Sequence, residues 1–397
     1  MNLDKIKTYS FIIIVLFSFF QLKAQQQLST NATVSVVTCG PGNELYSAFG
    51  HSAFRVSDPI LGLDKIYNYG TFDFNAPNFY LNFAKGKLIY LLSTSDFSRF
   101  LRLYQYENRW VKIQVLNLSS EEIQHMFNFL ENNAKQENRD YQYDFFYDNC
   151  STKIEEVVQS VLKDKVVFSN NHITSNKSHR DLITDYTKDF KWGKFGIDLA
   201  LGSVIDDKAS KNDYKFLPDY IFEAFKNATI QKNSNIEPLV NKEMTILKEI
   251  PFEKPIEYLS PLNVILAISL LIIFITYKNH QKSKRNKTID FTIYFFTGII
   301  GIVVLLLWFA SSHTATYKNY NFLWAFAPNI VVAFFMLKSN LPKWISFYNR
   351  ILLMLLISMI LLWVLKIQVF NIALIPLIIA LGIRFIYLIS FNQKSNS

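Results

Sequence analysis

From Leu259 onward the chain is a succession of apolar runs, at roughly 260–277, 289–310, 322–337, 350–365 and 370–389. A helix needs about 20 apolar residues to cross ~30 Å of hydrocarbon. This part of the chain is therefore expected to form an all-α transmembrane domain of five helices over 259–397, with 322–337 and 350–365 the shortest. Basic residues set its orientation. One loop carries Lys278, Lys282, Lys284, Arg285 and Lys287, and the next loop but one carries Lys338, Lys343 and Arg350. The alternate loops carry only Lys318 and only Lys366. The positive-inside rule puts the first set and the C-terminus in the cytoplasm, and residues before Leu259 on the outside.

The N-terminus agrees. Lys5 and Lys7 precede the apolar run Phe11–Phe20, and Ala24 stands before three glutamines. Such a run is too short to span a bilayer and reads as a signal peptide over 1–24. An uncleaved anchor is the alternative, and either one exports residues 25–258. No cysteine sits at the cleavage point, so this is not a lipoprotein signal. Charge divides at the same boundary. Residues 259–397 hold 12 Lys/Arg against the single acid Asp290, and residues 1–258 hold 29 against 31 acids. The excess of +9 thus belongs to the membrane part. The exported part has no basic surplus for a phosphate backbone, which argues against nucleic acid as a partner. Two cysteines in 397 residues exclude a disulfide scaffold and a cysteine-based zinc module. No metal set or phosphate loop is visible, so neither metal nor cofactor is expected.

Within 25–258, Val34–Cys39 reads as a strand followed by the turn Gly40-Pro41-Gly42. A strand is expected to begin at His51, with Lys65–Phe72 as its return strand in a hairpin; Leu88–Leu92 and Val111–Leu116 supply further strands. Ser119-Ser120-Glu121-Glu122 is a capping box before Ile123, Met126, Phe127 and Leu130 at helical spacing. His125, beside that stripe, reads as structural. The segment Tyr141–Leu162 is the most informative. Ile154, Val157, Val158, Val161 and Leu162 recur at the period of a buried amphipathic helix. Asp148 and Asn149 are good N-cap residues, so Cys150 falls in the first turn.

Free N–H groups and the helix dipole favour an anion at that position, and thiolates at helix N-termini have lowered pKa values. A thiol placed there with a histidine from a nearby strand is the working pair of a papain-type site. From residues alone three readings of Cys150 stay open: a nucleophile with His51, a small buried apolar residue, or a disulfide with Cys39.

The stretches TCGPGNELYSAFGHSAFRV (38–56), IYNYGTFDF (66–74), YDFFYDNCST (143–152), WGKFGIDLALG (192–202) and FLPDY (216–220), with the five-span tail, carry a resemblance. The order His then Cys, with the cysteine at a helix start, resembles the circularly permuted branch of the NlpC/P60 papain-like superfamily. Within it the chain is similar to the Lnb N-terminal periplasmic domain family. The resemblance implies an α+β papain-like exported domain on an inner-membrane tail. It also implies lipoprotein N-acyltransfer: a membrane phospholipid donates an acyl chain to the α-amine of a diacylated lipoprotein. Under that reading Cys150 is the nucleophile, His51 the general base, and Asn68 on the return strand the group that orients the imidazole, with Asp73, Asp148 and Glu44 as competitors. Backbone N–H groups at the Cys150 helix start, with Asn149, hold the oxyanion. Tyr147, Glu44 and His313 complete the expected substrate contacts. Trp192–Gly202 is expected either to dip into the leaflet or to form a buried strand or turn. A membrane-tethered cysteine peptidase or amidase acting on cell-wall peptide, and a non-enzymatic membrane assembly factor, are the alternatives.

Overall fold

The computed structural model describes residues 26–233, 235–250 and 258–396. The expected signal peptide, 1–24, lies outside the described residues. Among the described residues there are ten strands: β1 (Thr33–Cys39), β2 (His51–Asp58), β3 (Leu63–Thr71), β4 (Ile89–Asp96), β5 (Val111–Leu116), β6 (Asp140–Gln142), β7 (Val166–Val167), β8 (Thr229–Lys232), β9 (Asn235–Pro238) and β10 (Val240–Leu247). Seven form one sheet in the order β10-β5-β1-β2-β3-β4-β6, and β7-β8-β9 form a small second sheet. Neighbours in the large sheet are antiparallel.

The large sheet is covered on both sides, as the two-residue alternation of its central strands requires. Val34, Val36, Phe54, Val56 and Tyr67 pack with Met126, Phe127 and Leu130 of the helix Ser120–Asn133 and with Ile154, Val157 and Val158 of the helix Cys150–Leu162. Val37, Cys39, Ala53, Ile66 and Ile113 pack with Phe97, Phe100 and Tyr104 of the helix Phe97–Tyr106. Each fully buried side chain of this size stabilises the fold by about 1.5–3 kcal/mol. The capping box at Ser119 forms as its sequence requires, with Ser119 and Glu122 bonding each other's backbone N–H.

Among the described residues the tail contains four helices long and apolar enough to cross a membrane: Pro261–Gln281, Lys287–Phe309, Trp344–Val364 and Leu374–Lys394. The third expected helix departs from the sequence reading. Instead of one rod over 322–337 there is a 3-10 turn at Tyr320–Leu323, a break, and a helix Asn329–Met336. Eight residues rise about 12 Å, less than half the hydrocarbon thickness. Two local causes are visible. Pro328 has no N–H to give and stands at the start of the short helix. The broken backbone also presses against glycines of the preceding helix: a Cβ on Gly301 would lie 1.9 Å from the Ala325 carbonyl oxygen, and one on Gly298 would lie 2.3 Å from the Ile330 nitrogen. Polar contacts serve the break, with Asn329 donating to Thr297 at 2.9 Å and Trp324 to Asn321 at 3.0 Å. Irregular backbone of this kind survives in an apolar domain where protein, not lipid, surrounds it. Its ends still face opposite sides. Tyr320 N–H bonds Gln368 in the loop before the last helix, whereas the Lys338 carbonyl accepts from Arg285 at the far side.

The fourth helix begins at Trp344 rather than near residue 350, because the mixed-polarity turn through Ser346 and Asn349 is helical too. At the Arg285 face, buried Asp290 pairs with Arg285 at 3.0 Å and with Arg384 at 2.7 Å. Arg384 also donates to Thr276 and Asn279, which joins three helices.

The exported domain is docked on the opposite face. Residues 191–200 form a helix, not a strand, and Phe195 and Leu199 pack on the core of the membrane helices. Asp198 is buried and takes Arg180 (3.2 Å), Lys194 (2.8 Å) and Asn371 of the tail (2.7 Å). Asn321 donates to the Asp198 carbonyl and Asn319 to that of Leu199. Gly202 and Ser203 N–H groups bond Ala315 and Lys318 of the outer loop. A Cβ on Gly202 would fall 1.9 Å from the Tyr317 carbonyl oxygen, so this contact demands glycine.

Candidate active site

Three backbone features converge at one end of the large sheet. After β1 the chain turns through Gly40-Pro41-Gly42 and re-enters at Gly50, whose φ of 82° is the left-handed region open to glycine. That turn makes His51 the first residue of β2, opposite Cys39 of β1. β3 runs back beside β2 and carries Asn68 before an irregularity in its pairing with β4. Within that irregularity Gly70 also has a positive φ, 87°, and a Cβ there would stand 3.4 Å from the Cys150 Cβ. The third feature is the Cys150 helix, which packs on β2 and β3. Asn149 caps it through Oδ1, which accepts from Ser151 N–H at 2.7 Å and Thr152 N–H at 3.0 Å.

His51 Nε2 is hydrogen-bonded to Asn68 Oδ1. An amide oxygen accepts only, so the ring donates from Nε2 and keeps Nδ1 as its basic atom. The thiol and the ring shift each other. Burial pushes the Cys150 thiol up, but the His51 charge, a hydrogen bond from His51 and one from the Ser52 backbone N–H outweigh it and leave the thiol below its ordinary value. Burial pushes His51 down, and the Cys150 charge with the Cys150 and Asn68 hydrogen bonds carry it above the usual imidazole value. Mutual shifts of this sign favour a thiolate–imidazolium pair. Both cysteines are free thiols, Cys39 buried and Cys150 half-buried.

The other expected site residues are spread more widely. Asn149 is buried, and besides the two caps its Nδ2 donates to the carbonyls of Phe145 and Phe216, each at 2.8 Å. Its side chain is committed to the helix start. With Ser151 and Thr152 N–H groups taken by that cap, the helix start offers the Cys150 N–H to an incoming oxygen. Tyr147 is exposed, with its ring at a cavity of about 60 Å³ lined also by Phe146, His179, Val204, Ile205, Thr314 and Ala315. Glu44 is exposed beside the 3-10 turn Leu45–Ser47. His313 bonds the Phe83 carbonyl at 2.8 Å and so fastens the outer loop to the exported domain. Asp73 caps a turn at Asn75, and Asp148 pairs with Lys153 at 2.8 Å. The geometry therefore brings together Cys150, His51 and Asn68.

Sequence reasoning missed several neighbours. The Tyr141 hydroxyl is buried beside the Gly70 backbone N–H, 3.9 Å from where a Gly70 Cβ would be, and gives its own proton to no acceptor. Tyr143 is held protonated by burial and by the nearby Cys150 charge, and its ring stacks on Tyr90 at 4.1 Å. The signal was available: Tyr141 and Tyr143 alternate just before the cysteine.

Residues 20–179 match the family model described as the Lnb N-terminal periplasmic domain, and residues 253–396 match the Lnb transmembrane domain. No curated protein and no solved structure matches the chain.

Proposed function

The chain belongs to the Lnb family, its two domains matching in order, and from that premise we propose that it is a lipoprotein N-acyltransferase of papain-like mechanism. The observation that carries the reading is the His51–Cys150 pair, with the thiol lowered and the ring raised, in a domain docked on membrane helices. The Cys150 thiolate attacks the carbonyl carbon of a phospholipid ester. The oxyanion is met by the Cys150 N–H and by the hydroxyl of Tyr141, whose proton is given to no other acceptor. Collapse breaks the ester C–O bond, and His51 gives its proton to the departing glycerol oxygen. A lysophospholipid leaves and an acyl-thioester remains. His51, now neutral, takes a proton from the α-ammonium of a diacylglyceryl cysteine. The amine attacks the thioester, its second N–H proton passes to water, the C–S bond breaks to leave an amide, and the thiolate returns beside the protonated imidazole.

A thioester reacts with amines far more readily than an oxygen ester does, which is a reason to use cysteine. The donor ester supplies the driving force, so no cofactor enters the scheme. Asn68 positions the ring. In this reading the domain faces the periplasm and the C-terminus lies inside. The tail crosses five times, the third time as the broken segment. Both substrates are anchored in the leaflet beneath the site, which explains why the domain is fastened to its tail.

The test is a trapped intermediate. Purified protein in detergent, given phospholipid and no lipoprotein, gains the mass of one acyl chain on the Cys150 peptide, released by neutral hydroxylamine. A diacylglyceryl-cysteine peptide discharges it, and the same peptide with a blocked amine does not. N-acylation without any adduct overturns the two-step scheme. Cleavage of cell-wall peptide without lipid consumption replaces it with the amidase reading.

A further inference from the structure

The segment Phe72–Lys87, between β3 and β4, has no part in the chemistry above. It contains the helix Phe79–Ala84 and a dense apolar content, FDFNAPNFYLNFAKGK. Phe72 and Phe79 pack inward, their rings 5.7 Å apart. Phe74, Tyr80, Leu81 and Phe83 do not, being 66%, 80%, 51% and 54% exposed. Four large apolar side chains open to water within ten residues mark a surface with a partner.

Its position says which partner. The Lys85 carbonyl accepts from Ser312 N–H at 2.8 Å, and the Phe83 carbonyl is bonded by His313 at 2.8 Å. Gly86, with φ 65°, comes so near that a Cβ would lie 2.9 Å from the His313 nitrogen. Ser312 stands three residues beyond the end of the membrane helix Lys287–Phe309, whose last turn exposes Leu306 and Phe309. The segment is thus pinned at the level where the helix leaves the hydrocarbon. Exposed Lys85 and Lys87 follow the aromatic run, the order that suits a layer of lipid phosphates above acyl chains.

We propose that Phe72–Lys87 is an interfacial lip, with Phe74, Tyr80, Leu81 and Phe83 inserted in the outer leaflet of the membrane that the tail spans. It also leads to the nucleophile. Rings run from Tyr80 to Phe79 (5.3 Å), through Phe72 to Tyr90 (5.2 Å) and on to Tyr143 (4.1 Å), and Tyr141 of the same cluster brings its hydroxyl to Gly70, against which Cys150 packs. An acyl chain lifted from the leaflet would slide along this wall. The lip rests on the membrane position of the tail and stands whether or not acyl transfer is the reaction, whereas the path to the nucleophile rests on the function proposed above.

The experiment reads depth directly. In the full chain with Cys39→Ser and Cys150→Ser, a nitroxide is attached at Tyr80→Cys, at Leu81→Cys or at Ile60→Cys, and the protein is reconstituted in phosphatidylethanolamine–phosphatidylglycerol vesicles. Ile60 is also exposed, 66%, but sits past the far end of β2, which runs roughly 24 Å from His51 to Asp58. The ratio of oxygen to nickel-chelate collision is expected to be several-fold higher at Tyr80 and Leu81 than at Ile60. Equal ratios at all three sites overturn the lip. A second arm uses Tyr80→Ser/Phe83→Ser with Cys150 intact and follows lipid consumption. Loss with vesicle lipid but not with a short-chain monomeric ester supports it, and equal loss on both overturns it.

Discussion

The two thiols of this chain are neighbours in the fold and opposites in chemistry. Cys39 ends a strand, faces an apolar cluster with Val37, Ala53 and Phe100, and has its thiol pushed up to about 12 by burial, against the nearby Arg109. Cys150 begins a helix, faces His51, and lies below the ordinary thiol value. Burial acts on both in the same sense. What differs is a facing imidazole, a backbone N–H from Ser52 and the helix start. Arg109 is spent elsewhere, donating to the Gly40 carbonyl at 2.7 Å and lying over the Tyr104 ring. A thiol is made reactive by directed positive charge and donors, not by its depth.

The largest effect that breaks or sustains this contrast is exchange of each sulfur for oxygen. Cys150→Ser is expected to abolish acyl transfer in a lipoprotein mass assay and leave the melting temperature near that of the parent. Cys39→Ser is expected to keep most of the activity and lose about 1–2 kcal/mol of stability, since it buries a hydroxyl in an apolar cluster. Loss of transfer in both variants would erase the distinction.

Next comes His51→Ala, expected to slow acyl transfer by about 10²–10⁴-fold. The same variant sharpens the electrostatic half of the comparison through pH. A depressed thiol pKa means that alkylation of Cys150 rises with pH at a midpoint below 9.0, the ordinary thiol value. Without the imidazolium that midpoint moves up. Cys39 stays unlabelled across the same range in the folded protein. A midpoint that does not move with His51 would assign the shift to the helix start alone.

The smallest effect belongs to Asn149→Ala. Loss of an N-cap costs about 1 kcal/mol, read as a lower denaturation midpoint. Transfer falls only as far as the first helical turn loosens. A full loss of activity with unchanged stability would return Asn149 to the substrate.

Much of the frame was legible because it is periodic. β1, β2, β3 and β5 follow from alternation and turn residues. The helices Ser120–Asn133 and Cys150–Leu162 follow from apolar spacing and capping residues. Asn68 was reachable as well, since a hairpin that starts at His51 brings its return strand alongside. The broken third span was not. Its composition is that of a membrane helix, and the break arises where Pro328 meets the close approach of Gly298 and Gly301 from another helix. Nor was the helix Lys191–Ala200. Two glycines weaken its local preference, and it is held by contacts of Phe195, Leu199 and Asp198 with the tail.

By itself the sequence determined which parts of this protein meet lipid and which meet water, and where a helix begins under Cys150. Those depend on runs, periods and caps within a few residues of one another. Only the tertiary structure decided that Cys150 meets His51, that Asn149 is also spent on the Phe216 carbonyl, and that the outer loop grips the segment beside the site. Each of these joins residues from separate elements. Such contacts follow from the closure of the sheet and the docking of its end on the membrane helices, which no local pattern encodes.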